Sequence, residues 1–352
     1  MKSILDIPDA ALLATTPLSD LVDEFCHRLK IEKPDVICLP LIDFGGANYP
    51  SSIIDRNAGP WAIPDFLALA DEVKSYGSEL YGSIIPSMNF LETSGLQTRT
   101  QYAREATGIC LTNPASQKLL RACIDEAISS LQAKGIPTAG IVLDIVDING
   151  MSASDNRIKL TCFCKYCTDA LSKLSKFDYT IFKKFPNPIN LFLRETPTGV
   201  SNFNVDLRQA SWQDVIELAK DYRIYDPAMV NETDAEPWAR KGLEYLEARS
   251  RVTANSLQEI GAKCRSEGVK YAVITGFSHF DFTAGTDMWH LTSKAVDQIW
   301  ADTGDTTQEE IPAGVALYHY LSGRARYRID AFFEIVSDVN RFRRIASGGP
   351  DA

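Results

Sequence analysis

Pro114–Ala133 (PASQKLLRACIDEAISSLQA), the short link Lys134-Gly-Ile-Pro-Thr138 and then Ala139–Val146 (AGIVLDIV) form the stretch whose reading decides the fold. The first part reads as a long helix opened by Asn113-Pro114, and the last is the most strand-like run in the chain. The same alternation extends outward on both sides. Asp35–Leu41 (DVICLPL) and Glu79–Ile85 read as strands upstream; Lys270–Thr275 (KYAVIT), Val296–Ala301 (VDQIWA) and Ala313–Tyr318 (AGVALY) read as strands downstream. Helical spacing marks 17–30, 65–76, 237–267 and 329–346. A weaker first strand at Ser3–Ile7 and one within 176–235 would bring the set to eight. Strands separated by helices imply parallel pairing with right-handed crossovers. No Gly-rich phosphate loop follows any strand, so a doubly wound nucleotide-binding sheet is the weaker reading. The expectation is an α/β fold, a (β/α)8 TIM barrel with scope for irregularity, occupying 1–352 as one domain. Residues 176–235 form an inserted segment or lid between strands 4 and 5.

The 352 residues carry 36 Lys and Arg against 46 Asp and Glu, a formal charge of −10. A nucleic-acid footprint needs clustered cations to replace counterions, and an anionic membrane surface needs the same. The two short basic runs, Arg324–Arg328 and Arg341–Arg344, sit beside helical sequence and read as solvated faces. Asp6 and Asp9 interrupt what would be the apolar core of an export signal, and no uncharged apolar run is long enough to span a bilayer. The expectation is a cytoplasmic protein with neither nucleic acid nor membrane as partner, with homo-oligomerisation left open. Eight cysteines in a chain of this length do not make a disulfide framework.

Three of them lie within six residues, Cys162-Phe-Cys164-Lys-Tyr-Cys167, after a strand and before a helix. That spacing suits thiolates converging on one soft or borderline cation, which needs a fourth ligand for tetrahedral geometry. The competing reading is three reduced packing cysteines. Cys26, Cys38, Cys123 and Cys264 stand singly on apolar faces and read as core. The Cys110-Leu-Thr-Asn113-Pro114 segment together with Cys162, Cys164 and Cys167 resembles the barrel of glycoside hydrolase family 42 β-galactosidases and their clan A relatives. In that family a cysteine before an Asn-Pro-type segment joins a C-x-C-x2-C group after strand 4. The resemblance covers 64–175 well and the remainder by strand order. It implies a structural Zn²⁺ held by Cys110, Cys162, Cys164 and Cys167, with a closed ligand shell that does no chemistry.

The chain departs from the family at the catalytic positions. Where clan A enzymes carry Asn-Glu at the end of strand 4, this sequence has Asp144-Ile-Val-Asp147. In a barrel the chemistry sits at the C-terminal ends of the strands. Polar residues there are Asp43, Asn89, Asp144, Asp147, His279, Asp281, Asp302 and His319. Glycoside chemistry needs two carboxyl groups, one kept protonated and one ionised. Asp144 and Asp302 are the favoured pair, with Asp147 and Asp43 as substitutes. Asp43, Asn89, His279, His319 and the ring of Trp300 are the candidates for holding substrate. A glycoside or sugar conjugate, up to an oligosaccharide, is the expected partner. Two alternatives stand beside hydrolysis: an isomerase- or lyase-type reaction on a sugar or natural-product intermediate, and an inactive carbohydrate-binding barrel.

Overall fold

The computed structural model describes residues 4–6, 30, 35–43, 46–54, 70–71, 74–86, 95–99, 105–145, 162–175, 232–276, 288–291, 295–302 and 331–335. In chain order its strands are β1 (Ile4–Asp6), β2 (Val36–Asp43), β3 (Gly46–Ala47), β4 (Glu79–Ile84), β5 (Gln97–Arg99), β6 (Glu105–Ile109), β7 (Gly140–Asp144), β8 (Lys270–Gly276), β9 (Gln298–Asp302) and β10 (Ala331–Ile335). Its helices are α1 (Pro114–Ala133), α2 (Lys165–Leu174), α3 (Glu232–Ser266) and the single turn α4 (Met288–Leu291). The main sheet runs β1-β2-β4-β7-β8-β9-β10, and every neighbouring pair along that path is parallel. β3 adds an antiparallel step beside β2, which makes the sheet mixed, and β5 with β6 forms a separate hairpin.

Two helix-to-strand joints show why the alternation folds as it reads. Both α1 and α3 end on a glycine in the left-handed region, Gly135 (φ 68°) and Gly268 (φ 70°). At the first, the Ile136 N–H donates to the Leu131 carbonyl and the Gly135 N–H to Gln132; at the second, Val269 donates to Cys264 and Gly268 to Arg265. Each joint thus satisfies the last helical carbonyls and turns the chain into β7 or β8 within a few residues.

The sheet buries its two faces differently. One face carries Ile37, Leu39, Leu80, Ile141, Leu143, Val273 and Ile299, packed under Leu120, Cys123, Ile124, Ala127 and Leu131 of α1 and Leu257, Ile260 and Cys264 of α3. The other carries Val36, Cys38, Tyr81, Val142, Ala272, Ile274 and Trp300, which pack on one another. Tyr81 on β4 and Trp300 on β9 touch, with ring centroids 5.1 Å apart. Two strands lie between them, and a flat sheet would hold their backbones about 14 Å apart. The sheet therefore curls with this face inside, and β1 lies alongside β10 with Cα atoms within 8 Å. Three of the enclosed polar side chains are joined: Gln298 Nε2 donates to the Tyr81 hydroxyl at 3.0 Å, and the Trp300 indole N–H donates to Gln298 Oε1 at 3.2 Å.

Three expectations meet this sheet differently. The segment 329–346 reads as a helix, but Ala331–Ile335 is the strand β10, in register with β9 from Ala331 opposite Gln298 to Ile335 opposite Asp302. Ala-Phe-Phe-Glu-Ile has high strand propensity, and a free neighbouring edge outweighs its helical spacing. β9 pairs directly with β10, so the expected strand at 313–318, which lies outside the described residues, is not between them. Likewise β7 pairs directly with β8; of the expected insertion at 176–235, residues 232–235 open α3 and the remainder lies outside the described residues. Among the described residues no helix is long and apolar enough to cross a membrane.

Candidate metal centre and strand-end carboxylates

Cys110 follows the last residue of β6, Cys162 and Cys164 precede α2, and Cys167 lies in its first turn. Local hydrogen bonds fix each segment. The Cys110 N–H donates to the Leu96 carbonyl at 2.7 Å, and the Phe163 N–H donates to the Arg99 carbonyl at 2.8 Å, laying the 162–164 segment against the β5–β6 hairpin. Asn113 closes the turn by donating its N–H to the Cys110 carbonyl at 3.1 Å. Its side chain caps α1, accepting from the Ala115 N–H at 3.0 Å and donating to the Gly95 carbonyl at 3.1 Å. Pro114 occupies the first helical turn, where a missing N–H costs nothing. The Asn-Pro pair thus starts the helix and aims the preceding cysteine.

The sulfurs of Cys110 and Cys164 are 3.4 Å apart, those of Cys110 and Cys167 are 3.5 Å apart, and all four Sγ atoms lie within 4.8 Å of one another. A tetrahedral thiolate site with metal–sulfur bonds of ~2.3 Å holds its sulfurs about 3.8 Å apart. Four thiols drawn this close, with two of the separations slightly under that value, form a donor set that fits such an ion. Cys110, Cys162 and Cys167 are buried, and Cys164 is partly exposed. The backbone N–H groups of Arg99 and Cys164 approach Cys162 Sγ at 3.2 and 3.5 Å, the kind of donor that stabilises a coordinated thiolate. Hydrogen bonds from Cys110, Cys162 and Cys167 hold the Cys164 thiol far below its ordinary range, while the bonds to Cys162, Cys164 and Cys167 push Cys110 up. The single cysteines titrate for a different reason: burial first, helped by the charge of Glu126 beside Cys123 and of Asp297 beside Cys264, pushes both up to about 12, keeping them protonated and inert.

A third element closes over the cluster. Tyr245 of α3 is wholly buried and stacks on Phe163, between Cys162 and Cys164, with centroids 5.4 Å apart and planes 7° from parallel. One turn later Arg249 is buried at 2% exposure, donating from Nη1 to the Thr253 hydroxyl at 2.9 Å. Burial pulls its pKa down, but Cys167, Tyr245, Cys162 and Cys110 nearby outweigh that and hold the guanidinium firmly charged. Sequence reading passed over Arg249. Its signal was a cation on the helix stripe that Tyr245, Ala248 and Val252 otherwise bury.

Strand-end carboxylates lie on the sheet itself. Asp144 is the last residue of β7, opposite Ile274 of β8, and is partly exposed. Asp302 is the last residue of β9, in register with Gly276 and Ile335. β8 alone separates their strands, so they lie on the order of 10 Å apart across the sheet. Asp43 ends β2 beyond a register slip between Pro40 and Ile42, where a proline without an N–H makes an irregularity cheap. It is fully buried and accepts from Asn48 Nδ2 at 2.9 Å; the same amide donates to the Pro40 carbonyl at 2.6 Å. Trp300 is fully buried against Tyr81 and is part of the interior packing. Asn89, Asp147, His279 and His319 lie outside the described residues.

No protein-family model matches the chain, and no curated protein matches it by sequence. Solved structures do match. A β-galactosidase from the psychrophilic Marinomonas ef1 superposes with a TM-score of 0.51 at 11% identity, over 91% of this chain and 46% of that one. A β-galactosidase from Rahnella sp. R3 aligns with a TM-score of 0.49 at 12% identity, over 91% of this chain and 42% of its own. The chain spans under half of either enzyme, and at these identities the likeness is one of fold.

Proposed function

We propose that the chain is a glycoside hydrolase-like enzyme on a (β/α)8-type barrel, acting on a glycoside or sugar conjugate through aspartates at the C-terminal strand ends. The observation that carries this reading is the curled parallel sheet, which ends Asp43, Asp144 and Asp302 on three of its strands. The fold likeness to a β-galactosidase supports it. Asp144 and Asp302 are the proposed pair, one donating a proton to the leaving oxygen, the other ionised as nucleophile or base. Asp147 and Asp43 stand behind them as substitutes, and Asn89, His279 and His319 are proposed to hold sugar hydroxyls. The four cysteines would hold a structural Zn²⁺; a closed thiolate shell leaves no position for substrate. Its contribution would be to tie the β5–β6 hairpin, the start of α1 and the start of α2 into one body.

A second reading rests on the departure at β7, where Asp144-Ile-Val-Asp147 stands in place of Asn-Glu. Acid–base chemistry without hydrolysis, an isomerisation or elimination on a sugar intermediate, needs carboxyl groups but no such pair. The test is turnover of a broad panel of aryl glycosides by wild type and Asp144→Asn. Cleavage by wild type alone supports hydrolysis with Asp144 in the machinery. Equal cleavage by both removes Asp144. Cleavage by neither, with product from an isomerase or lyase assay on free sugars, favours the second reading.

A further inference from the structure

Four thiolates and one divalent cation carry a net charge of −2, and in this fold that charge would sit under buried aromatic and aliphatic side chains. An uncompensated buried charge is costly, so such a centre gains from a cation brought in from elsewhere. On α2, which carries Cys167, Lys165 and Lys173 are exposed and leave a buried cation to come from another element. It comes from α3, in the crossover between β7 and β8, where Tyr245 and Arg249 present adjacent turns to the cysteine segment. Tyr245 stacks flat on Phe163, which fixes the helix face against the 162–164 loop. Arg249 lies one turn on, shielded from water, with the Thr253 hydroxyl holding one end of its fork. The 162–164 segment and α3 are therefore joined by one stacked ring pair, with a buried cation one helical turn further along.

We infer that Arg249 is a working part of the metal centre: the buried counter-charge that strengthens metal binding by the four cysteines and makes the docking of α3 depend on the loaded ion. The inference rests on the reading of the cysteine cluster as a metal site and adds a positioning residue from a distant helix, with Thr253 orienting it. Its consequence is reciprocal, because whatever raises metal affinity by docking α3 is matched by metal stabilising the docked helix.

The experiment is zinc affinity of the full-length protein, measured by competition with a chromophoric chelator, for wild type, Arg249→Met, Arg249→Lys and Thr253→Val. Losing an outer partner of a metal centre typically costs 10- to 100-fold in affinity, and that is the expected loss in Arg249→Met. Arg249→Lys should return to within about fivefold of wild type, since the charge is kept and the fork lost, and Thr253→Val should weaken binding a few-fold. Substitution with Co²⁺ gives a readout that lost packing does not move. Without the nearby cation the sulfur orbitals are less stabilised, so the thiolate-to-cobalt charge-transfer band of Arg249→Met shifts to longer wavelength. A zinc affinity in Arg249→Met within threefold of wild type overturns the inference while leaving the metal site standing. Should Arg249→Met not fold, Thr253→Val decides, and an affinity unchanged there overturns it equally. Wild type that takes up neither zinc nor cobalt removes the metal reading itself, and the inference with it.

Discussion

The cysteine cluster and the strand-end carboxylates are assembled in opposite ways. Three of the four thiols come from one six-residue segment, and the fourth from the turn that opens α1. Their convergence is fixed by short hydrogen bonds and helix caps that the local sequence specifies. The aspartates come from strands separated by up to 260 residues and meet only through the register and curl of the sheet. A site built on local geometry survives as a unit or is lost as a unit. A rim built on long-range register is graded, and each member is altered separately.

The first way to break that contrast is to remove one ligand. Cys164→Ser should abolish stoichiometric zinc in metal analysis and lower the unfolding midpoint by on the order of 10 °C, because binding energy in a structural thiolate site is folding energy. Removing zinc from wild type with a strong chelator under reducing conditions should give the same midpoint. Cys123→Ala is the matched control. It deletes a sulfur more deeply buried than Cys164 that has no cluster around it, so zinc content stays unchanged and stability falls by about 1 kcal/mol. Equal effects of the two substitutions would erase the distinction between ligand and core cysteines.

On the rim, Asp144→Asn should lower turnover 10²- to 10⁴-fold, the range spanned by a general acid or base, with the unfolding midpoint changed little because the residue is partly exposed. A large loss of stability with turnover intact would make Asp144 a structural end of β7 instead. The same substitution should leave zinc content untouched, which is the sharpest form of the comparison: one region altered, the other silent.

The strand that ends in Asp144 offers a further comparison. Gly140 begins β7 opposite Tyr81, and a Cβ there would run into the Tyr81 ring. Tyr81 cannot move cheaply, since its hydroxyl accepts from Gln298 and its ring meets Trp300. Gly140→Ala should therefore destabilise by about 1–3 kcal/mol in denaturant unfolding, without loss of zinc. An increase in stability would mean that the interior has room that the Tyr81–Trp300 contact denies.

What the sequence displayed follows the same division. Helix α1, β7 and the cysteine segment were legible because caps, spacing and β-branched runs are local signals. The clustered thiols needed one long-range fact, that Cys110 sits next to the others, and that came from the resemblance to the family 42 barrels and not from the local sequence. Ala331–Ile335 was misread because its apolar spacing suits a helix, and only the vacant edge of β9 makes it a strand. Arg249 was missed because a lone cation on a helix stripe looks like a solvated end until α3 docks. Trp300 looked like a ring for a sugar face, and the curl of the sheet turns it inward. In each miss the deciding partner lies on another strand or helix.

The smallest effect concerns how α1 serves the rim as well as the cysteines. Its Glu126 holds the loop that follows Asn48: the carboxylate accepts from the Ser51 hydroxyl, from the Ser52 N–H at 2.6 Å and from the Ser52 hydroxyl at 2.7 Å. Partial burial raises the Glu126 pKa, but the Ser51 hydroxyl and the Ser52 donors outweigh it and leave the group below its ordinary value. A carboxylate with a lowered folded pKa contributes stability that is complete above its unfolded value, near 4.3, and is lost as pH falls through the folded value. Solvent reaches much of the group, so the contribution is a few tenths of a kcal/mol. Glu126→Gln and wild type should thus differ slightly in denaturant midpoint at pH 6–7 and converge in strong acid. A gap that widens on acidification would reverse the sign and show that the loop is held by contacts other than this carboxylate.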